Sequence, residues 1–419
     1  MFRTSNKFIL RLLALAALVV PTLIGCGTQE SEQEGMELVM WHAYRGGERA
    51  ALEEVIGSFN AENADRGVRV RLLAVPFDAY ADKLSAALPQ GKGPDLFIFA
   101  QDRLGGWVES GKTVEPIGFY LNPTDHQRFL PGMVDALTYR GAVYGVPLNF
   151  KSLALIRNAD LAPTEPQTTD ELAAAARAFM VARPGEFGLS FEYANPDFQG
   201  ALFNAFGGGV VSDRGEAILD REQNRKAFEL LLKWRDEDKI LLPEPTGALV
   251  LTLYNEERTP FVISGPWFLG EVDPALNTIV SPLPIIPEAD GAPIRPWLLV
   301  EGVFVSETAP SSLEAFRVAQ YLTSPEAATI FALKGRQLPT IKAIYDDPRV
   351  MNDPILSGFR QQLESSAPLP NIPEMAHYWT PGTTAMTQVL RSGRPPADAL
   401  AEAQAEMDRS IAEMRRSGQ

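Results

Sequence analysis

The sequence predicts an α/β protein built as two lobes. Three observations lead there. The chain has 419 residues, more than the ~100–200 of a single soluble domain. Short apolar runs alternate with runs of helical period, the signature of sheets covered by helices. The pattern restarts near Val146, and a late apolar run over 297–305 reads as a strand returning to the first sheet.

In order along the chain, Arg3, Lys7 and Arg11 make a positive start, followed by an apolar run from Leu12 to Ile24. That run is shorter than the ~20 apolar residues of a membrane span and fits an export signal. It ends in Leu23-Ile24-Gly25-Cys26, which is similar to a bacterial lipobox, and Cys26 is the chain's single cysteine. Cleavage before Cys26 and lipidation of its thiol and new amino group would anchor the protein and leave no thiol for a disulfide. Residues 26–35 are polar and acidic and read as the tether.

Met36–His42 reads as a buried strand. Leu52, Val55, Ile56 and Phe59 then fall on one helical face. Val68–Val75 alternates as a second strand, Asp82–Leu88 suits a short helix, and Asp95–Phe99 is a third strand. This order implies a parallel sheet with helical crossovers. In the second unit, Leu153–Arg157 is a strand. Thr168 and Glu171 have capping-box spacing before a helix whose face carries Leu172, Ala175, Ala176 and Phe179. Phe228, Leu231 and Leu232 mark another helix, and Pro260–Ser264 is a strand stopped by Gly265-Pro266. Ser311 and Glu314 form a second capping box. Ser324-Pro325-Glu326 opens a helix with proline in its favoured first position. Leu400, Ala403, Met407, Ile411 and Met414 trace a final helical stripe suited to packing.

The formal charge is −15, with 53 acids against 38 bases, and loss of the leader makes the body more acidic still. Such a body repels phosphate backbones, so no nucleic-acid partner is expected. His42, His126 and His377 lie far apart, and no His/Cys cluster has metal spacing. No metal or cofactor is expected. No phosphate loop, His-Glu-x-x-His or Gly-x-Ser-x-Gly motif occurs.

Four collinear blocks carry a resemblance. They are Gly93-Pro94-Asp95-Leu96-Phe97-Ile98-Phe99-Ala100-Gln101-Asp102-Arg103-Leu104-Gly105-Gly106-Trp107; Gly145-Val146-Pro147-Leu148 with Ser152-Leu153-Ala154-Leu155-Ile156; Ile263-Ser264-Gly265-Pro266-Trp267; and Pro370-Asn371-Ile372-Pro373-Glu374-Met375 with Trp379. Together they resemble the family 1 extracellular solute-binding proteins, in particular the maltose/maltodextrin-binding branch, over roughly residues 36 to 409. The resemblance implies a type II periplasmic-binding-protein fold, two hinged lobes around a central cleft. The lobes would be 36–147 with 299–340, and 148–298 with 341–419. Crossings would fall near Val146–Lys151, Trp297–Val300 and Leu338–Ala343.

It also implies the function: a monomeric, exported receptor at the periplasmic face or cell surface. It would pass a sugar or oligosaccharide to an ABC permease served by a separate ATPase chain. Sugars offer apolar C–H faces and a rim of hydroxyls, which aromatic rings and charged or amide groups recognise. The expected ligand set is Tyr44, Arg45, Glu48, Phe99, Asp102, Arg103, Lys151, Asn195, Asp197, Trp267 and Trp379. Of these, Phe99, Asp102, Arg103, Trp267 and Trp379 match family contact positions. Lys151 and Asn195 stand where relatives have glutamate, Asp197 replaces a tyrosine, and Thr383 replaces an arginine. A glutamate-to-lysine change at Lys151 suits an acidic sugar. Two alternatives are the same fold binding a non-sugar solute and a secreted glycoside-processing enzyme. The first is opposed by Arg45, Arg103 and Lys151 where that solute is a polycation. The second needs two carboxylates held at a set separation.

Overall fold

The computed structural model describes residues 35–111 and 113–417. The lipobox, Cys26 and the tether lie outside the described residues. Two sheets organise the body. The strands of the first are β1 (Met36–His42), β2 (Val68–Ala74), β3 (Leu96–Ala100), β4 (Gly145–Lys151), β9 (Trp297–Val305), β10 (Leu338–Pro339) and β11 (Ala367–Pro368). Their order is β10-β4-β9-β3-β1-β2, with β11 alongside β9. The second sheet holds β5 (Ala154–Asn158), β6 (Leu189–Ser190), β7 (Phe261–Ser264) and β8 (Thr278–Ser281), ordered β8-β5-β7-β6.

In the first sheet β1 pairs in parallel with β2 and β3, as the crossovers through α1 (Gly46–Glu62) and α2 (Phe77–Ala87) require. The returning strand β9 enters antiparallel between β3 and β4. Only residues 152 and 153 separate β4 from β5, so the chain leaves one sheet and joins the other almost without a loop.

Alternation explains where the cores sit. Leu155 on β5, with Phe261 and Ile263 on β7, faces one apolar cluster. Their neighbours Ala154, Ile156 and Val262 face the other. The second sheet is thus covered on both sides, which is why its strands read as near-continuous apolar runs. The helical stripe also holds: Leu400, Ala403, Met407 and Ile411 of α6 (Pro396–Ser417) are buried, and Met414 is half-buried.

The expected capping boxes form by halves. The Thr168 hydroxyl accepts from the Glu171 N–H at 3.1 Å, starting α3 (Thr169–Ala182), but the Glu171 carboxylate accepts from Gln167 N–H instead. Ser311 accepts from Glu314 N–H at 3.3 Å, while the Glu314 carboxylate turns to Arg66. One boundary differs clearly. α2 begins at Phe77 rather than Asp82. Its first turn carries Phe77 out into solvent, 76% exposed, so no apolar periodicity announces it.

Candidate functional site

The first cluster grows from the carboxyl end of β1. His42 Nδ1 accepts the Tyr44 N–H at 3.1 Å. Burial, then the charge of Arg49, lowers the His42 pKa to about 4, so the ring is a neutral acceptor at pH 7. The Tyr44 side chain is thereby turned inward. Its hydroxyl donates to Glu301 Oε2 at 2.7 Å and accepts from Asn149 Nδ2 at 3.2 Å. Strand register explains the grouping: Asn149 lies opposite Glu301, and Lys151 opposite Leu299. Lys151 Nζ lies 3.0 Å from Glu301 Oε1 and 3.1 Å from Glu48 Oε1, the latter from the first turn of α1. The ammonium also sits 5.2 Å from the Tyr44 ring centre and 6.0 Å from that of Trp267.

These charges are scarcely exposed: 13% for the Lys151 side chain, 12% for Glu301 and 6% for Glu48. Burial alone would lower the Lys151 pKa, but Glu301 and Glu48 outweigh it and hold the ammonium above its usual range. Burial, then the charges of Glu301 and Glu48, lifts Tyr44 well above the usual phenol range. Burial likewise raises Glu301, against the pull of Lys151. The charge of Lys151 is therefore answered inside the protein, and the sequence-based suggestion that it receives an acidic sugar does not fit this geometry.

The second cluster follows β3. Residues 101–103 make a single helical turn that the Gln101 amide fastens down. Gln101 Oε1 accepts from Val300 N–H at 2.7 Å, and its Nε2 donates to the Leu298 and Leu369 carbonyls at 3.0 and 3.2 Å. Asp102 is buried beside Arg103, with Oδ2 3.4 Å from Nε. Across from it stands Asp197 in the first turn of α4 (Pro196–Ala205), whose N-cap is Asn195. Burial lifts Asp102 to about 6, with Arg103 opposing, and burial plus the charge of Asp102 lifts Asp197 to about 7. Trp379 is half-buried, edge-on to Trp297 at 5.8 Å and tilted against Tyr378 at 5.4 Å. Its Nε1 lies toward Asp102 but outside hydrogen-bond geometry, and Nε1 is buried without another acceptor. Arg103 Nε is likewise buried and unpartnered.

β9 joins the clusters. Trp297, Leu299 and Glu301 share one face of the strand, and the four-residue step from Trp297 to Glu301 spans about 13 Å. Around this track, Arg45 reaches Glu271 at 3.3 Å with both side chains largely in solvent. Thr246 caps α5 (Gly247–Asn255) by accepting the Leu249 N–H at 3.2 Å, and Glu192 lies beside that helix start. Burial raises the Glu192 pKa, the Gly247 backbone and Arg45 oppose that, and Asp78 adds to it. Trp267 is half-buried and packs against both apolar clusters. Phe99 is half-buried, 5.4 Å from both Tyr80 and Trp107.

The structure thus brings Tyr44, Glu48, Lys151 and Trp267 together, and separately Asp102, Arg103, Asp197 and Trp379. Asn195 is exposed and its oxygen caps Asp197 N–H at 3.0 Å, so it shapes the helix start. Thr383 is exposed and donates back to the Trp379 carbonyl at 2.8 Å. Sequence reasoning missed Glu301, Asn149, Gln101, Trp297 and Glu192. Glu301 carried a signal, as the single acid inside an apolar strand. Among the described residues, no group of three or more His, Cys, Asp or Glu side chains converges as a metal site, and no helix is long and apolar enough to cross a membrane.

Comparison with known proteins agrees with this architecture. The maltotriose-binding protein of Pyrococcus abyssi is 27% identical over 370 residues, covering 87% of this chain and 80% of its own length. A maltooligosaccharide ABC transporter solute-binding lipoprotein of Streptococcus pneumoniae is 24% identical over 422 residues, covering 95% and 96%. The solved Thermus thermophilus maltotriose-binding protein, bound with maltotriose, superposes with a TM-score of 0.81 at 25% identity, covering 89% of this chain and all of its own. The profile of the bacterial extracellular solute-binding proteins matches residues 54–358. The chain belongs to the bacterial extracellular solute-binding protein family.

Proposed function

We propose that this chain is the receptor component of an ABC importer and that it binds a neutral, glucose-based oligosaccharide along the face of β9. The observation that carries this reading is the pair of half-buried indoles, Trp267 and Trp379, at the two ends of a track about 13 Å long. Each stands beside charged groups that can bond hydroxyls. Aromatic faces under apolar sugar faces, with carboxylates and a guanidinium at the rim, meet the chemical needs of a carbohydrate. The maltotriose- and maltooligosaccharide-binding relatives support the same ligand class.

In this mechanism the sugar stacks on Trp267, Trp379 and Phe99. Asp102, Arg103 and Asp197 bond its hydroxyls, and Tyr44, Arg45, Glu48, Lys151 and Asn195 shape the walls. The lobes are 36–147 with 299–340, and 148–298 with 341–419. The ligand binds their closed arrangement better and shifts the population toward it. The closed form docks on a permease driven by a separate ATPase chain. The sugar leaves chemically unchanged. The lipoprotein relative supports an anchor at Cys26.

Calorimetry with maltose, maltotriose, maltotetraose, trehalose and a galactooligosaccharide tests the ligand. Saturable heat with a maltooligosaccharide is expected, and no heat with any sugar refutes the reading. Metabolic labelling with a fatty acid, compared with Cys26→Ser, tests the anchor.

A further inference from the structure

The Lys151 ammonium is enclosed by groups from three elements: Glu48 of α1 at 3.1 Å, Glu301 of β9 at 3.0 Å, and the Tyr44 ring at the end of β1. Trp267, at the end of β7, completes the enclosure from the second sheet at 6.0 Å. Tyr44 is tied into the same unit through Glu301, and Asn149 through Tyr44. The other titratable group facing the unit is Tyr80 of α2, whose hydroxyl is held by the Trp41 carbonyl and whose pKa is raised by burial and by Glu301. The unit holds one positive and two negative charges, all nearly out of water.

We propose that Lys151 is a positioning residue and not a ligand contact. It holds the Glu48 and Glu301 carboxyl groups side by side, and through them it sets the Tyr44 and Trp267 rings that form this end of the track. Two carboxylates in one buried pocket cannot both remain charged without a cation between them. Removing the ammonium therefore makes the wall depend on a proton that water must supply. A residue that merely donated to a sugar hydroxyl would have no such effect.

This follows from the sugar reading for its ligand arm only, and the test has a second arm that does not. The variants are Lys151→Met and the double variant Lys151→Met/Glu301→Gln, which restores the native net charge of the unit. Protonation of the spare carboxyl in the single variant is easier at pH 5.5 than at pH 8, so its folding is favoured at the acid end. Affinity for the tightest-binding maltooligosaccharide is measured by calorimetry from pH 5.5 to 8. The ratio of Lys151→Met to wild-type affinity is expected to fall about tenfold across this range. The double variant is expected to shrink that dependence and recover part of the affinity, because one buried carboxyl replaces two. Equal losses at every pH, with no recovery in the double variant, would mean that Lys151 touches the sugar, and would overturn the assignment.

The ligand-free arm is Tm against pH. A neutral carboxyl in the folded state and an ionised one in the unfolded state make stability fall as pH rises. Lys151→Met should lose Tm toward pH 8 more steeply than wild type, and the double variant, left with one buried carboxyl in place of two, should lie between them. Parallel curves for all three proteins overturn the proposal even if no sugar binds. Absence of sugar binding by the wild type overturns the functional reading alone.

Discussion

Replacing Asp197 by Asn should make the protein more stable above neutral pH, by a smaller margin at pH 5, and leave it unchanged only below the carboxyl's ordinary value of 3.8. In the folded state burial and the charge of Asp102 raise Asp197 from 3.8 to about 7. A pKa raised on folding means that the native state holds a proton the unfolded chain has released. Stability is then full below the unfolded value and is lost as pH rises toward 7. The shift of roughly three units corresponds to about 4 kcal/mol at ~1.4 kcal/mol per unit. Asp197 is only half-buried, so water at its edge reduces this, and ~2 kcal/mol is the working figure. Its place in the first turn of α4 opposes the loss by about 0.5 kcal/mol, because the helix N-terminus favours an anion. An Asn keeps the shape and removes the charge. Denaturant unfolding from pH 5 to 8 should show the wild type declining while Asp197→Asn stays nearly flat. At pH 8 the variant should gain about 2–4 °C in Tm. A wild type with level stability over that range, or a variant weakened equally at every pH, would refute the picture of two carboxylates pressed together where water reaches only the edge of Asp197.

Other outcomes follow from named contacts. Trp379→Ala and Trp267→Ala should each weaken oligosaccharide binding by about tenfold, roughly 1.4 kcal/mol, as read by calorimetry. Gly200→Ala would place a Cβ 2.5 Å from the Trp297 ring. The displaced indole should cost about 1–3 kcal/mol in chemical denaturation and, through Trp379, weaken ligand binding too. Arg45→Ala breaks an ion pair that is 68% and 40% exposed, so unfolding free energy should change by less than about 1 kcal/mol.

Much of the fold was legible where local and long-range forces agree. Met36–His42 and Trp297–Val305 appear as strands over the residues expected, because each is an apolar run with a single acid, Glu37 or Glu301, inside it. The helix caps at Thr168 and Ser324 were legible because short polar side chains and proline have few other good uses at those positions. Of the candidate site the sequence foretold a grouping: the structure brings Asp102 and Arg103 near Trp379, and Tyr44, Glu48 and Lys151 near Trp267. The charge balance there was not legible. Whether Lys151 faces solvent, a ligand or two carboxylates depends on which strand lies beside β4, and that neighbour is about 150 residues away. Asn195 carries a local signal besides: Asn before Pro marks a helix start in its own right, and its side-chain oxygen caps the Asp197 N–H.

The Gln101 amide has a mechanical consequence. By gripping backbone on both β9 and the segment entering residue 369, it rivets the Asp102–Arg103 turn to the strand that also carries Trp297 and Glu301. Any bending that separates the two sheets must carry this turn along with that strand as one rigid piece. The flexing has to be absorbed elsewhere in the connections between the sheets.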